Sequence, residues 1–315
     1  MQNWTAFLEL RKNRRIILMA ILSYVTQFYT RILEMYGHDL TSDALYHSNS
    51  DIKIIGAKDI KLPRLSVSGY KDHNRRTLGF NGGNYSNDFE TKSLDHDRDI
   101  EFFIDPMDVD ETNQIVSIAN VQARFEKMQA IPELDCYTFS KLYYEAARVG
   151  SKIRTNAITR ANILDDFDDN CEAFENLGVP LSRCVLYCTA AYRKELKNAE
   201  GIHRTLTVNS SNALDRRVRS MDDLGAIITV PLERFKTAYD FTEGYQADAT
   251  GKQINYMLVD PEAQVSRVKY SYINTFTPGH DSRTTDCYLY QNRRYNGTFA
   301  LDQELEKACI INREA

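Results

Sequence analysis

Asp97-Arg98-Asp99-Ile100-Glu101-Phe102-Phe103-Ile104-Asp105 runs after a short gap into Asp108-Val109-Asp110-Glu111-Thr112-Asn113. The first stretch ends in Ile100, Phe102 and Phe103, the apolar end of a strand. The second places acids where a helix begins, because carboxylates are stabilised by the partial positive charge of a helix N-terminus. Behind them Ile115, Ile118, Ala119 and Phe125 recur on one side, so the spacing predicts a helix from about 108 to Ala130. Pro132 opens a second predicted helix with Glu133 and Asp135 in its first turn and Leu134, Leu142 and Ala146 on its apolar face. Gly150 ends it.

Upstream, Ile52–Ile55 and Ile60–Val67 read as strands, with Pro63 demoting its strand to an edge. Residues 70–89 carry Gly79, Gly82 and Gly83 and form a polar tip. The chain returns through Glu90–Ile104, giving a long two-stranded arm. An isolated hairpin is marginal in water, so such an arm makes sense only against a neighbour. Residues 4–36 show helical spacing ending at Gly37, with little core of their own.

Downstream, helix and strand alternate. Thr159 is the expected cap of a helix carrying Ile163, Phe167, Cys171, Phe174 and Leu177, closed by Gly178-Val179-Pro180. Val185–Cys188, Ala226–Val230 and Ile254–Val259 read as strands, the second of them buried. Ala190–Lys197 reads as a short helix and Pro261-Glu262-Ala263 as a turn. Strands follow at Arg267–Thr275, and at Asp286–Tyr295 and Thr298–Leu301 around an Asn296-Gly297 turn. The class is α+β.

The 315 residues carry a net charge of −5, which argues against a general nucleic-acid coat, since phosphate binding needs clustered cations. Nineteen tyrosines suit either a tyrosine-rich core or surfaces that become interfaces. The six cysteines form no CxxC pair, and buried free thiols in a reducing compartment are expected. Arg11, Lys12, Arg14 and Arg15 precede the apolar run Ile16–Leu22, which is far short of the ~20 residues that span a bilayer. No small-residue cleavage site follows, so export is not expected. This basic arm suits either contact with enclosed DNA or a solvated helix end.

Catalytic motifs are missing from the sequence. Gly244 to Gly251-Lys252 has the wrong spacing for a phosphate loop, and Gln253 stands where a hydroxyl residue is needed. The acids Asp165, Asp166, Asp168 and Asp169 lack the glycine and glutamate of a calcium loop, so a solvated acidic helix face is expected. The six histidines have no metal-ligand spacing and read as surface residues. No cofactor, metal site or catalytic residue is expected.

The order of parts is more specific than any motif. The segment 97–113, the run Ala130-Ile131-Pro132-Glu133-Leu134-Asp135-Cys136-Tyr137-Thr138-Phe139-Ser140-Lys141-Leu142, the strand Ala226–Pro231 and the strand and turn Ile254–Ala263 together resemble tailed-bacteriophage major capsid proteins of the Hong Kong 97 fold, especially those of phages of Gram-positive hosts. The resemblance covers about residues 20–311. It implies an N-terminal arm (1–50), an extended β-hairpin loop (51–105), a spine helix with the peripheral domain (106–154), an axial domain (155–260) and strands returning to the peripheral domain (261–315). It implies self-assembly into pentamers and hexamers of an icosahedral head around double-stranded DNA, located in the virion, with no catalysis. Lys71, Arg75, Arg76, Tyr85, Arg98 and Glu101 would then touch neighbouring subunits, and Arg11, Lys12, Arg14 and Arg15 would face the lumen. The short arm implies a separate scaffolding protein; a portal and a decoration protein are further expected partners. Two other readings compete: an encapsulin-type bacterial compartment shell, and an intracellular enzyme with a polar cleft.

Overall fold

The computed structural model describes residues 40–49, 59–73, 80–107, 118–199, 224–280, 284 and 286–315. The expected helical segment at 4–36, the strand Ile52–Ile55 and the helix start at Asp108 lie outside these residues.

The described chain combines a long helix and several shorter ones with four sheets, the smallest being the two-residue ladder of β7 (Tyr239–Asp240) and β8 (Gln246–Ala247). The long helix begins as α1 (Ile118–Phe125), passes through a π-helical turn at Glu126–Ala130 and continues as α2 (Ile131–Val149). It spans roughly 48 Å at 1.5 Å per residue. The expected break at Pro132 is therefore absent. Proline has no N–H for the carbonyl four residues back and its ring collides with it. The widened turn lets Ile131 N–H bond the Glu126 carbonyl instead. The Met128 carbonyl accepts the Tyr245 hydroxyl at 3.3 Å. Gly150, at φ +87°, closes the helix with its N–H on the Ala146 carbonyl.

The central sheet has five strands in the order β4 (Lys152–Arg154), β12 (Cys309–Arg313), β9 (Ile254–Val259), β5 (Val185–Thr189), β6 (Ala226–Val230). β12 is parallel to β4 and β5 to β6, while β9 runs antiparallel to both its neighbours. The two-residue strand period divides the core into two layers. Tyr187, Met257, Val259 and Ile311 face Phe139, Leu142 and Ala146 of α2. Leu186, Cys188, Tyr256, Leu258 and Ile310 face the other way, onto Ile163, Phe167 and Phe174 of α3 (Ile163–Asn176) and Tyr192 and Leu196 of α4 (Ala190–Asn198). Each fully buried large side chain contributes roughly 1.5–3 kcal/mol, so this double coverage explains why β5 is buried at all five positions. β6 is an edge strand and only partly buried, contrary to the expectation of a buried one.

Asn162, not Thr159, sits at the N-terminal cap of α3; its side chain accepts the Thr159 N–H at 2.7 Å. Gly178, at φ +76°, ends the helix with its N–H on Glu175 and that of Val179 on Phe174. Asp165, Asp168 and Asp169 are exposed, but Asp166 is buried, which corrects the expectation of a wholly solvated face. It is held by Arg154 at 2.8 Å and the Tyr256 hydroxyl at 2.6 Å.

A three-stranded sheet runs β10 (Gln264–Phe276), β11 (Tyr288–Ala300), β3 (His96–Ile104). The return through Glu90–Ile104 is thus two strands. β2 (Tyr85–Ser93) pairs with β1 (Asp59–Val67) in the hairpin, whereas β3 pairs with β11 after a break at Leu94-Asp95. The expected Asn296-Gly297 turn is also absent, because β11 runs straight through it. Glycine is needed there for close approach: a Cβ would lie 2.3 Å from Leu94 Cδ2 and 2.7 Å from the Phe299 ring. Gly297→Ala should cost about 1–3 kcal/mol through overpacking of this small core, read as a lowered midpoint in urea with an unchanged slope.

All six cysteines are free, and five are buried. Burial raises the thiols of Cys136, Cys184, Cys188 and Cys309 to about 12, so they stay protonated. Tyrosine is found in two settings: Tyr187, Tyr256 and Tyr290 are core, while Tyr70 and Tyr85 are exposed.

Candidate assembly surface

The β1–β2 hairpin pairs in strict register from Asp59↔Ser93 to Val67↔Tyr85. Pro63 is tolerated because both strands are edges. Its tip is braced from within. Asn84 N–H donates to Ser68 Oγ at 2.9 Å, Asn81 Nδ2 to the Asp72 carbonyl at 2.8 Å, and Lys71 Nζ to the Gly82 carbonyl at 3.1 Å. Yet Tyr70 and Phe80 stand fully exposed, and Val67 and Tyr85 are 72% and 77% exposed. Four large apolar side chains are thus exposed on the hairpin and its tip, and exposed apolar area of this kind is typical of interaction sites. At its base, Lys92 Nζ reaches Asp302 Oδ1 at 3.2 Å, which in turn meets Arg148.

The outer face of β3–β11–β10 is a second accessible surface. Phe103 and Tyr270 are exposed there, and Arg293 forms a fork with Asp97 at 3.0 and 2.6 Å. That pairing holds the Arg293 guanidinium above its usual range.

The sequence-expected contact residues separate accordingly. Lys71 and Tyr85 come together on the hairpin. Arg98 and Glu101 lie on opposite faces of β3, as odd spacing requires. Glu101 is on the exposed face, taking a hydrogen bond from Gln291 at 3.3 Å. Arg98 faces inward, its Nε on Glu133 Oε1 at 2.7 Å, and is thus engaged within its own chain. Arg75, Arg76, Arg11, Lys12, Arg14 and Arg15 lie outside the described residues. Sequence reasoning missed Phe80; the signal was an aromatic between glycines in an otherwise polar tip.

Behind β3 lies a charged layer against the helix. Glu126, 1% exposed, accepts Asn292 Nδ2 at 2.6 Å and Arg294 at 2.7 Å. Burial raises the Glu133 carboxyl against the pull of Arg98. His96 is not a surface histidine as expected: it is 6% exposed and stacks on Tyr137 at 4.1 Å, with Phe241 edge-on. Burial, then the Arg98 charge, lowers it to about 4. Among the described residues no group of histidine, cysteine and acid side chains is placed to hold a metal, and no helix is long and apolar enough to cross a membrane.

No family model and no curated protein matches the sequence. Solved structures do match its fold. One described as the asymmetric unit of the bacteriophage PhiM1 mature capsid aligns at a TM-score of 0.59 and 11% identity, over 82% of each chain. The capsid structure of the cyanophage P-SCSP1u aligns at 0.56 and 13% identity over 86% of each chain. A structure described as Mycobacterium phage Che8 aligns at 0.55 and 10% identity, over 87% of this chain and 91% of that one. The chain is an α+β protein with a long central helix, and it has the fold of these phage capsid structures.

Proposed function

We propose that this chain is the major capsid protein of a tailed bacteriophage. Copies assemble into pentamers and hexamers of an icosahedral head that encloses double-stranded DNA in the virion, and the role is structural rather than catalytic. The observation that carries this reading is the fold agreement with capsid structures over more than four-fifths of the chain. A subunit that shares most of its architecture with shell-forming proteins has the shape needed to tile a shell.

The exposed hairpin supports the reading independently. Within the extended loop (51–105), the β1–β2 arm would lie on a neighbour and bury Val67, Tyr70, Phe80 and Tyr85, with Lys71, Arg75 and Arg76 meeting acids there, while β3 stays in the sheet of its own subunit. The reading assigns 106–154 and 261–315 to a peripheral domain around the helix, except that β12 joins the central sheet of the axial domain (155–260), and 1–50 to an arm whose Arg11, Lys12, Arg14 and Arg15 face the lumen. A net charge of −5 suits a wall that borders DNA without gripping it. A separate scaffolding protein, a portal and a decoration protein are its proposed partners.

Negative-stain microscopy and light scattering of the expressed chain, alone and with its neighbouring genes, test the proposal. Closed shells, pentamers or hexamers are expected; a monomer or dimer under every condition refutes it. Shells that enclose a protein cargo, with no nuclease-protected DNA even in the presence of a portal and packaging enzyme, would point to a bacterial compartment instead. The double variant Tyr70→Ser, Phe80→Ser should leave unfolding stability within about 0.5 kcal/mol, because both side chains are exposed in the subunit. The same variant should abolish shell formation. Normal shells would remove the hairpin tip from the interface.

A further inference from the structure

The sequence contains two Asn-Gly pairs, Asn81-Gly82 and Asn296-Gly297. Such a pair has a chemistry of its own. Glycine has no Cβ and a permissive backbone, so its nitrogen can swing onto the carbonyl carbon of the preceding asparagine side chain. The fold places the two pairs in opposite settings.

Asn81-Gly82 lies in the hairpin tip, outside any strand, and both residues are exposed. A Cβ built on Gly82 would meet nothing within 4 Å. The Gly82 carbonyl accepts the Lys71 ammonium at 3.1 Å, whereas its N–H makes no backbone hydrogen bond among the described residues. The Asn81 side chain is held through Nδ2 alone, on the Asp72 carbonyl at 2.8 Å and the Lys71 carbonyl at 3.3 Å. Bonds this open to water contribute little net stability, so they slow rotation of the amide without preventing it.

Asn296-Gly297 lies inside β11. Asn296 is 4% exposed and is paired with Val268 of β10 and His96 of β3. Gly297 is paired with Arg267 and packed against Leu94 and the Phe299 ring. Bringing its nitrogen to Asn296 Cγ would require rotating the strand out of its ladders.

We propose that Asn81 is a site of spontaneous covalent modification, deamidating to aspartate and isoaspartate, while the fold protects Asn296. The Gly82 nitrogen gives its proton to solvent and attacks Asn81 Cγ. The Cγ–Nδ2 bond breaks, ammonia leaves with a proton from water, and a five-membered succinimide remains. Water then adds to one of the two ring carbonyls and opens it, giving aspartate or isoaspartate. Either product puts carboxylate oxygens where the Nδ2 donor stood, and these cannot donate to the Asp72 and Lys71 carbonyls. The tip loses that brace and gains a negative charge near Lys71. The inference concerns the single subunit and does not rest on the assembly reading.

The test ages the full chain in mildly alkaline buffer, kept unassembled as gel filtration verifies. Digestion at mildly acidic pH and liquid chromatography with mass spectrometry then resolve the amide and both acid forms of each peptide. Asn81 should convert at least about tenfold faster than Asn296 in the folded chain, and the two rates should converge in urea. Gly82→Ala, whose methyl fits the open space around the tip, should slow Asn81 at least about tenfold by obstructing the nitrogen. Equal rates at the two sites in the folded chain overturn the proposal. So does an Asn81 that stays amidated until urea is added, or a Gly82→Ala chain that converts as fast as the parent.

Discussion

Arg234→Met should destabilise the chain by about 3–5 kcal/mol, the cost of leaving a buried charge without its partner. The partner is Asp135, which has no exposed surface and sits within the first turns of α2. Arg234 NH1 reaches Asp135 Oδ2 at 3.1 Å, from the 3₁₀ turn that follows β6. The other carboxylate oxygen takes the Ser42 N–H at 3.0 Å and the Ser42 hydroxyl at 2.8 Å, and the Thr41 N–H lies 3.3 Å from Oδ2. Asp135 therefore fastens the helix, the segment before the hairpin and the central sheet at one point. Methionine retains the arginine's packing volume, so the expected loss is electrostatic rather than a cavity effect. Thermal unfolding should drop by roughly 6–12 °C. Arg234→Met with Asp135→Asn should recover part of that loss, because the amide removes the orphaned charge. A single-variant shift below about 1 °C would show that the Ser42 bonds alone satisfy the carboxylate.

Asp135 also marks where sequence reading stopped. Its position in an early helical turn was legible from Pro132 and the spacing of Leu134, Leu142 and Ala146. Nothing local indicated that it would be buried, because the groups that bury it lie 93 to 99 residues away. The same holds for Asp166 and His96. Each sits in a polar stretch, and each is drawn inside by a distant partner, Tyr256 in one case and Tyr137 in the other. Periodicity found the helices and most strands because it reports which face is apolar. It misread 90–104 and 286–301 because strand continuity depends on which strand pairs with which. Leu94-Asp95 carries no glycine or proline yet separates two sheets, while Asn296-Gly297 looks like a turn yet is held straight by Leu94 and Phe299. The hairpin surface was half legible. Its existence followed from strands around a glycine-bearing tip, but the exposure of Tyr70 and Phe80 is a tertiary fact.

His96 should make the fold acid-sensitive over a defined window. Its folded value lies near 4, against 6.5 for the free side chain, with burial the main cause and the Arg98 charge the second. Asp95 and Asp97, beside it on the chain, push the other way without prevailing. Because the folded value is depressed, the unfolded chain binds a proton below 6.5 that the folded chain resists. Stability is thus fully present above 6.5 and falls progressively until pH reaches about 4. The span corresponds to roughly 3 kcal/mol, about 2 of which should be lost between pH 7 and pH 5. Glu133, whose carboxyl is raised by burial, acts in the opposite sense: its contribution is present below its usual 4.5 and is lost as pH rises past it. Asp95 behaves differently again. Burial raises it, but the bonds from Lys141 and Tyr137 outweigh that and hold it low, so its contribution disappears only as pH falls below its usual 3.8. His96→Phe separates these effects, since phenylalanine keeps the stack on Tyr137 and the edge contact with Phe241 but cannot titrate. Urea unfolding at pH 7 and pH 5 should show the loss of about 2 kcal/mol in the parent chain and little of it in the variant. Equal losses in both would place the acid sensitivity elsewhere, and would mean that the imidazole takes up its proton without leaving the stack.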